Sequence, residues 1–295
     1  MHIIIQSKAS DLTEGMFAQA LTWLLEILND LENEKKIDAD TKILFDVNTV
    51  AYDNLIPTFI VPKQQMTPDE LQNAQTIKIK EYKSSHKIDF EFNEDSFENA
   101  NRIWNKYFRF APEVMNAVPI FDNTNTLGIH YRGTDKIREL GEANPITQEE
   151  FICIVEDFLR NNQHFKNIYC ASDEEPFMEV LKCHFPDMNI IEYNQNRSNS
   201  IEALHKMKDL QKATKDAHTL AALIDMVALS RCDCVIKTNS ALSSFSKILN
   251  PKMQLVTTSA MKQRWFPTGV VKPYRSSSRE VNLIMQRTMY GHVYF

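Results

Sequence analysis

The sequence predicts an α/β protein of two doubly wound, Rossmann-like parallel sheets that face each other across a cleft. Its first residues alternate strand, turn, helix and strand, the order a parallel sheet needs because parallel neighbours are joined by a crossover helix. A second, longer alternation of the same kind runs from Leu127 to Thr257. The 295 residues and 43% hydrophobic content suffice for two domains, each with its own core.

Taken in order, Ile3-Ile4-Ile5 reads as a buried strand, Asp11 to Gly15 as a turn, Met16 to Leu31 as an apolar helix and Thr41 to Asp46 as a second strand. From Tyr52 to Asp95 the pattern is less regular. Pro57, Pro62 and Pro68 punctuate it and lysines crowd Lys78 to Lys87, which predicts loops, edge elements and acceptor contacts there. Asn105 to Ala117 reads as one helix ending near Pro119, and the polar run from Phe121 to Thr126 suits a linker. Beyond it, Leu127 to Tyr131 is a strand and Thr147 to Asn161 a helix, opened by a capping box between Thr147 and Glu150. Strands at Asn167 to Ala171, Asn189 to Tyr193, Cys234 to Lys237 and Gln254 to Thr257 follow. They alternate with helices at Glu175 to His184, Ala217 to Ser230 and Ser240 to Leu249.

Composition narrows the function classes. A net charge of −6 with 24% charged residues gives no reason to expect nucleic acid or an anionic membrane as the main partner. The apolar run after Met1 is too short for a signal segment, and no stretch approaches the ~20 apolar residues of a membrane span. Five scattered cysteines fit reduced intracellular thiols, so the expectation is a soluble, cytoplasmic protein. Neither half carries G-x-G-x-x-G, and the chain has only 6 glycines, which argues against dinucleotide binding by the usual fingerprint. Asp38-Ala39-Asp40 spells D-x-D but lies before a strand, so it reads as a solvated turn. Cys232 and Cys234 lack the further ligands of a zinc site and read as packing residues. No metal site is expected.

The informative segment is His130-Tyr131-Arg132-Gly133-Thr134-Asp135-Lys136, placed where a strand of such a sheet ends at the ligand crevice. An arginine there can grip a diphosphate with its planar fork, and Gly133 lets the backbone come close. The same residues also suit a surface salt-bridge cluster, with Arg132 or Lys136 pairing Asp135. Thr238-Asn239-Ser240 opens a helix after a strand, which makes it a phosphate seat, an N-cap pair, or both. Asp225 lies in an apolar helical stretch where an idle charge would be costly, although a surface helix aspartate has the same spelling. His130 reads equally as a satisfied core histidine.

These residues resemble a known family. H-Y-R-G-T-D-K, followed by Pro145-Ile146, is similar to the H-x-R-R-T-D-K…P-I segment of the α1,6-fucosyltransferases, relatives of the nodulation and protein O-fucosyltransferases. Ile168 to Pro176 resembles the family's strand ending in A-T-D-D-P. Asp225 to Ser240 resembles its D-x-x-x-L-S-x-x-D-x-x-V-x-T-x-S block, and the three occur in family order. The likeness covers roughly residues 127 to 250. It implies a GT-B-like glycosyltransferase, inverting and metal-independent, that transfers fucose from GDP-fucose to a glycan or other hydroxyl acceptor, with no cofactor. On that reading residues 1–124 are the acceptor-side half and 125–295 the donor-side half, with the last ~30 residues packing back on the first.

By the same resemblance, Arg132 binds the donor's β-phosphate, and His130 and Asp225 contact the guanine. Gly133, Asp135, Lys136, Asp173, Thr238, Asn239 and Ser240 complete the donor set. The family's paired serines fall here on Ser240 and Ala241, so one phosphate hydroxyl is missing or is supplied by Thr238. The position of the family's catalytic glutamate is Leu140, flanked by Glu139 and Glu142, either of which could take the acceptor proton. Asp173 and Glu174 are further candidates for that role, and they also suit the first turn of a helix. A charged segment from Ser200 to Lys215 reads as a loop able to cover the donor. Two other readings stand beside this one: a transferase of a different nucleotide sugar, and a binding relative that has lost catalysis.

Overall fold

The structure, a computed structural model, describes residues 1–7, 20–38, 40–47, 58–64, 66–82, 94–132, 146–193, 212–238, 240–258 and 272–290. In the first half, β1 (His2–Ser7) is the central strand of a parallel sheet. It pairs with β2 (Lys42–Val47) on one side and with a strand over Gln75–Lys78 on the other. Helix α1 (Thr22–Asn33) lies between β1 and β2 in sequence and buries Leu24, Leu25, Ile27, Leu28 and Leu31. On β1 and β2 burial alternates, so Ile3, Ile5, Ile43, Phe45 and Val47 form one apolar face.

The stretch read as loops and edge elements supplies β3 (Ile60–Pro62), a short helix α2 (Pro68–Gln72) and β4 (Gln75–Lys78), and β4 is an edge strand of the parallel sheet, as read. Its Gln-Thr-Ile-Lys spelling has no apolar alternation because it is an outer strand whose side chains stay largely in water. One expectation for this half needs correcting: the helix expected from Asn105 to Ala117 is two helices, α3 (Glu94–Tyr107) and α4 (Pro112–Ala117), parted by β5 (Phe108–Phe110). Pro112 sits in the first turn of α4, where its ring is welcome, and Phe108-Arg109-Phe110 has the period of a strand and pairs antiparallel with β3.

The second half is a six-stranded, wholly parallel sheet. In chain order its members are β6 (Thr126–Tyr131), β7 (Asn167–Ser172), β8 (Asn189–Ile191), β9 (Cys234–Lys237), β10 (Gln254–Thr257) and β11 (Lys272–Pro273). Their order across the sheet is β11-β10-β9-β6-β7-β8. This is the 3-2-1-4-5-6 pattern of nucleotide-binding sheets, and it reverses direction between β6 and β9. The helices are α5 (Gln148–Asn161), α6 (Glu175–His184), α7 (Lys212–Ser230), α8 (Ala241–Leu249) and α9 (Arg279–Tyr290). The capping box of α5 forms as read, Thr147 accepting from Glu150 N–H and Glu150 from Thr147 N–H.

Every residue of β6 is buried, because helices cover both faces of the sheet. Leu127, Ile129 and Tyr131 pack with residues of α5, α6 and α9; Tyr131 stacks on Phe177 at 4.3 Å and tilts against Phe151 at 5.3 Å. Gly128 is on the opposite face, toward α7, where a Cβ would stand 2.8 Å from Val235 Cγ2 and 3.1 Å from Cys232 Sγ. On this face the core is continuous with that of the first half. Trp104 of α3 touches Phe108 and Phe110 and meets Phe245 of α8 edge-on at 5.5 Å. Asn101 Nδ2 donates to the Ile248 and Leu249 carbonyls at the end of α8, at 2.9 and 3.1 Å.

The described part of the closing segment packs on the second sheet. β11 extends the second sheet. Tyr274 and Ser276 hydroxyls donate to Asp157 Oδ2 of α5 at 2.7 and 2.5 Å, Arg287 pairs with Glu150, and Val281 and Met285 enter the second core. A parallel outer strand and an apolar helix face find their partners on the nearest sheet. Among the described residues no helix is long and apolar enough to cross a membrane.

Candidate active site

Open parallel sheets bind ligands outside the carboxyl ends of their strands, at the point where strand order reverses. Here that point lies between β6 and β9. His130 of β6 is in register with Lys237 of β9. One residue on, the strands are tied by Thr238 N–H to the His130 carbonyl at 3.0 Å and by Arg132 N–H to Thr238 Oγ1 at 3.0 Å. The half-buried Arg132 thus leaves its strand beside the start of α8.

Ser240 is the N-cap residue of α8, with extended backbone (φ −152°, ψ 139°), yet its hydroxyl makes no capping hydrogen bond. The Ser240 Oγ is buried and has no partner among the described residues, in a residue only 4% exposed. An N-cap serine normally accepts from an N–H of its own first turn, and a buried hydroxyl left without a partner is costly. That cost is relieved if a ligand rich in acceptor oxygens meets the helix start, where the backbone dipoles also favour negative charge. Of the two roles read for Thr238-Asn239-Ser240, the N-cap bond is therefore not made by Ser240. Thr238 ties Arg132, and Asn239 lies outside the described residues.

Beneath the seat is a buried polar network. His130 is 5% exposed, and its Nδ1 lies 2.9 Å from Ser243 Oγ. Burial, with Lys237 and Arg132 nearby, pushes its imidazole down to about 3, so the ring is neutral at pH 7. Lys237 is fully buried, and its ammonium donates to the Ser240 carbonyl at 2.7 Å and to Ser244 Oγ at 2.6 Å. Ser244 Oγ in turn lies 3.1 Å from the Ser240 carbonyl. Sequence reasoning passed over Lys237, Ser243 and Ser244. The spelling Cys-Val-Ile-Lys carries no signal for the lysine; its burial shows only in the structure.

Asp225 of α7 is 5% exposed and accepts from Tyr169 Oη at 2.6 Å, so it is a buried helix aspartate and not a surface one. Tyr169, also stacked on Phe121, pairs in register with Gly128, which places the Tyr169–Asp225 contact on the face of the sheet that carries His130. Burial and the Asp225 charge raise the Tyr169 hydroxyl well above its usual range, keeping it a donor. At the end of β7, Asp173 and Glu174 are half-buried. The Glu174 carboxyl is raised by burial, lowered by a 2.8 Å bond from Gln148 Nε2, and raised again by Asp173. Gly133, Asp135, Lys136, Glu139 and Glu142 lie outside the described residues, as does most of the Ser200 to Lys215 segment.

The features set aside from sequence are structural. Asp38 Oδ1 accepts from Thr41 Oγ1 at 2.6 Å and Asp40 N–H at 3.1 Å, which closes a turn before β2. Cys232 and Cys234 are buried free thiols. Among the described residues no group of three His, Cys, Asp or Glu side chains could hold a metal ion.

No protein-family model and no curated protein matches the chain. Solved structures do. A NodZ α-1,6-fucosyltransferase soaked with GDP-fucose matches over 84% of this chain and 92% of its own, at 12% identity and a TM-score of 0.52. The fucosyltransferase NodZ from Bradyrhizobium matches over 84% and 93%, at 14% identity and 0.52. NodZ co-crystallised with GDP matches over 84% and 92%, at 13% identity and 0.51. In fold, then, this α/β chain is similar to the NodZ fucosyltransferases, as its three motif blocks led us to expect.

Proposed function

We propose that the protein is an inverting, metal-independent glycosyltransferase that moves fucose from GDP-fucose to a glycan or other hydroxyl acceptor. Residues 1–124 serve as the acceptor-side half and 125–295 as the donor-side half. The observation that carries this reading is the start of α8, where the buried Ser240 N-cap hydroxyl has no partner among the described residues, beside Arg132 at the point where strand order reverses. The order of the motif blocks and the fold shared with NodZ, which has been crystallised with GDP and GDP-fucose, support it further.

The donor's diphosphate lies on the start of α8, with Ser240, Thr238 and the Arg132 guanidinium around it; Asn239, Gly133, Asp135 and Lys136 are assigned to the same donor set from the sequence. As the bond from the anomeric carbon to the diphosphate oxygen breaks, its electron pair passes to that oxygen, where Arg132 and the helix dipole meet the charge. The acceptor hydroxyl forms the new bond from the opposite side of the sugar and gives its proton to Glu139 or Glu142, with Asp173 and Glu174, at the end of the neighbouring strand β7, as further candidates. Neutral His130 and the Asp225 carboxylate recognise the guanine; a carboxylate accepts from the ring N–H and the exocyclic amine together. Leu140, at the position of the family's glutamate, favours a second reading in which the donor is bound but not turned over.

GDP release from GDP-fucose in EDTA, with and without a panel of glycan acceptors, tests the proposal. We expect turnover in EDTA and a loss of about 100- to 1000-fold in Arg132→Ala, the usual cost of removing a preorganised partner of developing charge. Turnover abolished by EDTA contradicts the metal-free mechanism. GDP binding without release of fucose in any arm establishes the second reading.

A further inference from the structure

Lys237 stands out as a lysine with no exposed surface, held by two short hydrogen bonds inside the seat itself. Buried ammonium groups are rare because their desolvation is costly, and a structural role in this strand would be served by the apolar residues that fill its other positions. Burial alone brings its pKa down to about 7, so the site retains the charge at a cost.

What the charge holds is the Ser240 carbonyl. In a trans peptide the C=O and the following N–H point in opposite directions, so drawing the Ser240 carbonyl toward Lys237 turns the Ala241 N–H away from it. The bond to Ser244 Oγ fixes the next turn of the helix, and the His130–Ser243 contact fixes it from β6. We propose that Lys237 is a positioning residue for the donor diphosphate: its ammonium locks the first turn of α8 so that the N–H groups and the Ser240 hydroxyl meet the phosphates, and adds positive potential beneath them. This rests on the donor reading above.

The test is calorimetric binding of GDP and of guanosine to the full chain, wild type and Lys237→Met, with Ser244→Ala as a milder second variant. Guanosine has the base and no phosphate, so it reports both on folding and on the base site. We expect wild type to bind GDP at least about 10-fold tighter than guanosine, from charge-assisted bonds to the phosphates. Lys237→Met should lose about 10-fold or more in GDP affinity with guanosine unchanged, and Ser244→Ala a smaller share in the same direction. If Lys237→Met does not fold and so loses guanosine as well, the Ser244→Ala ratio decides. An unchanged ratio of GDP to guanosine affinity in the folded variants overturns this inference and leaves the donor reading standing. A wild type that prefers neither ligand overturns the donor reading, and this inference with it.

Discussion

Two residues on facing ends of β6 and β9, His130 and Lys237, are both held below their usual protonation by burial, and each bonds to the first turns of α8. For His130 the folded value lies well below the ordinary 6.5 of a histidine. Between pH 6.5 and about 3 the unfolded chain binds a proton that the folded chain refuses, so this group's stabilising contribution is complete above 6.5 and is lost as pH falls toward 3. Chemical denaturation at pH 7 and pH 4.5 should therefore show wild type losing about 2–3 kcal/mol more than His130→Asn, at roughly 1.4 kcal/mol per unit. Parallel losses would mean that the ring is not the buried neutral group described. Lys237 has the same sign in a higher window, its burial costing most at and below neutral pH. Arg132, His130 and Asp225 were read from spacing and resemblance as candidate residues, and the structure describes all three. Lys237 was not so read, because a lone lysine at the end of a strand usually marks an edge, and only the order of the sheet shows that β9 is central.

Among elements, α8 connects the two halves. Its start forms the proposed seat, its middle meets Trp104 through Phe245, and its last carbonyls accept from Asn101. Trp104, 3% exposed, gathers the aromatics of β5 and α8 around it. Trp104→Ala should cost about 3–5 kcal/mol by urea denaturation, the range for truncating a large buried aromatic. A loss under about 1 kcal/mol would show that the two halves do not share the core described. The elements most legible in sequence were those of the second sheet, where an all-parallel sheet buried on both faces imposes unbroken apolar runs. The strand Cys234–Lys237 and the helix Glu175–His184 have the bounds read from sequence. The first half was harder because β4 is an outer strand and β5 is three residues long. Their pairing depends on partners far along the chain, which local pattern does not carry.

The whole molecule is one long α/β chain whose apolar core runs from the first sheet through α3 and α8 into the second, with a nucleotide-type strand order in its second half. The fold was predictable because crossover helices and parallel strands alternate in a way few architectures allow. The acceptor was not, since nothing in residues 1–124 carries a motif of known chemistry. The central claim is a guanosine diphosphate seat between β6 and β9, and thermal unfolding of the full chain with added nucleotides tests it most directly. A ligand that binds only the folded state raises the midpoint by mass action, so GDP at about 100 times its Kd should add roughly 2.7 kcal/mol of stability. The account predicts a clear rise with GDP and little or none with UDP, CMP or ADP at the same concentration. An equal response to all four, or to none, would contradict it.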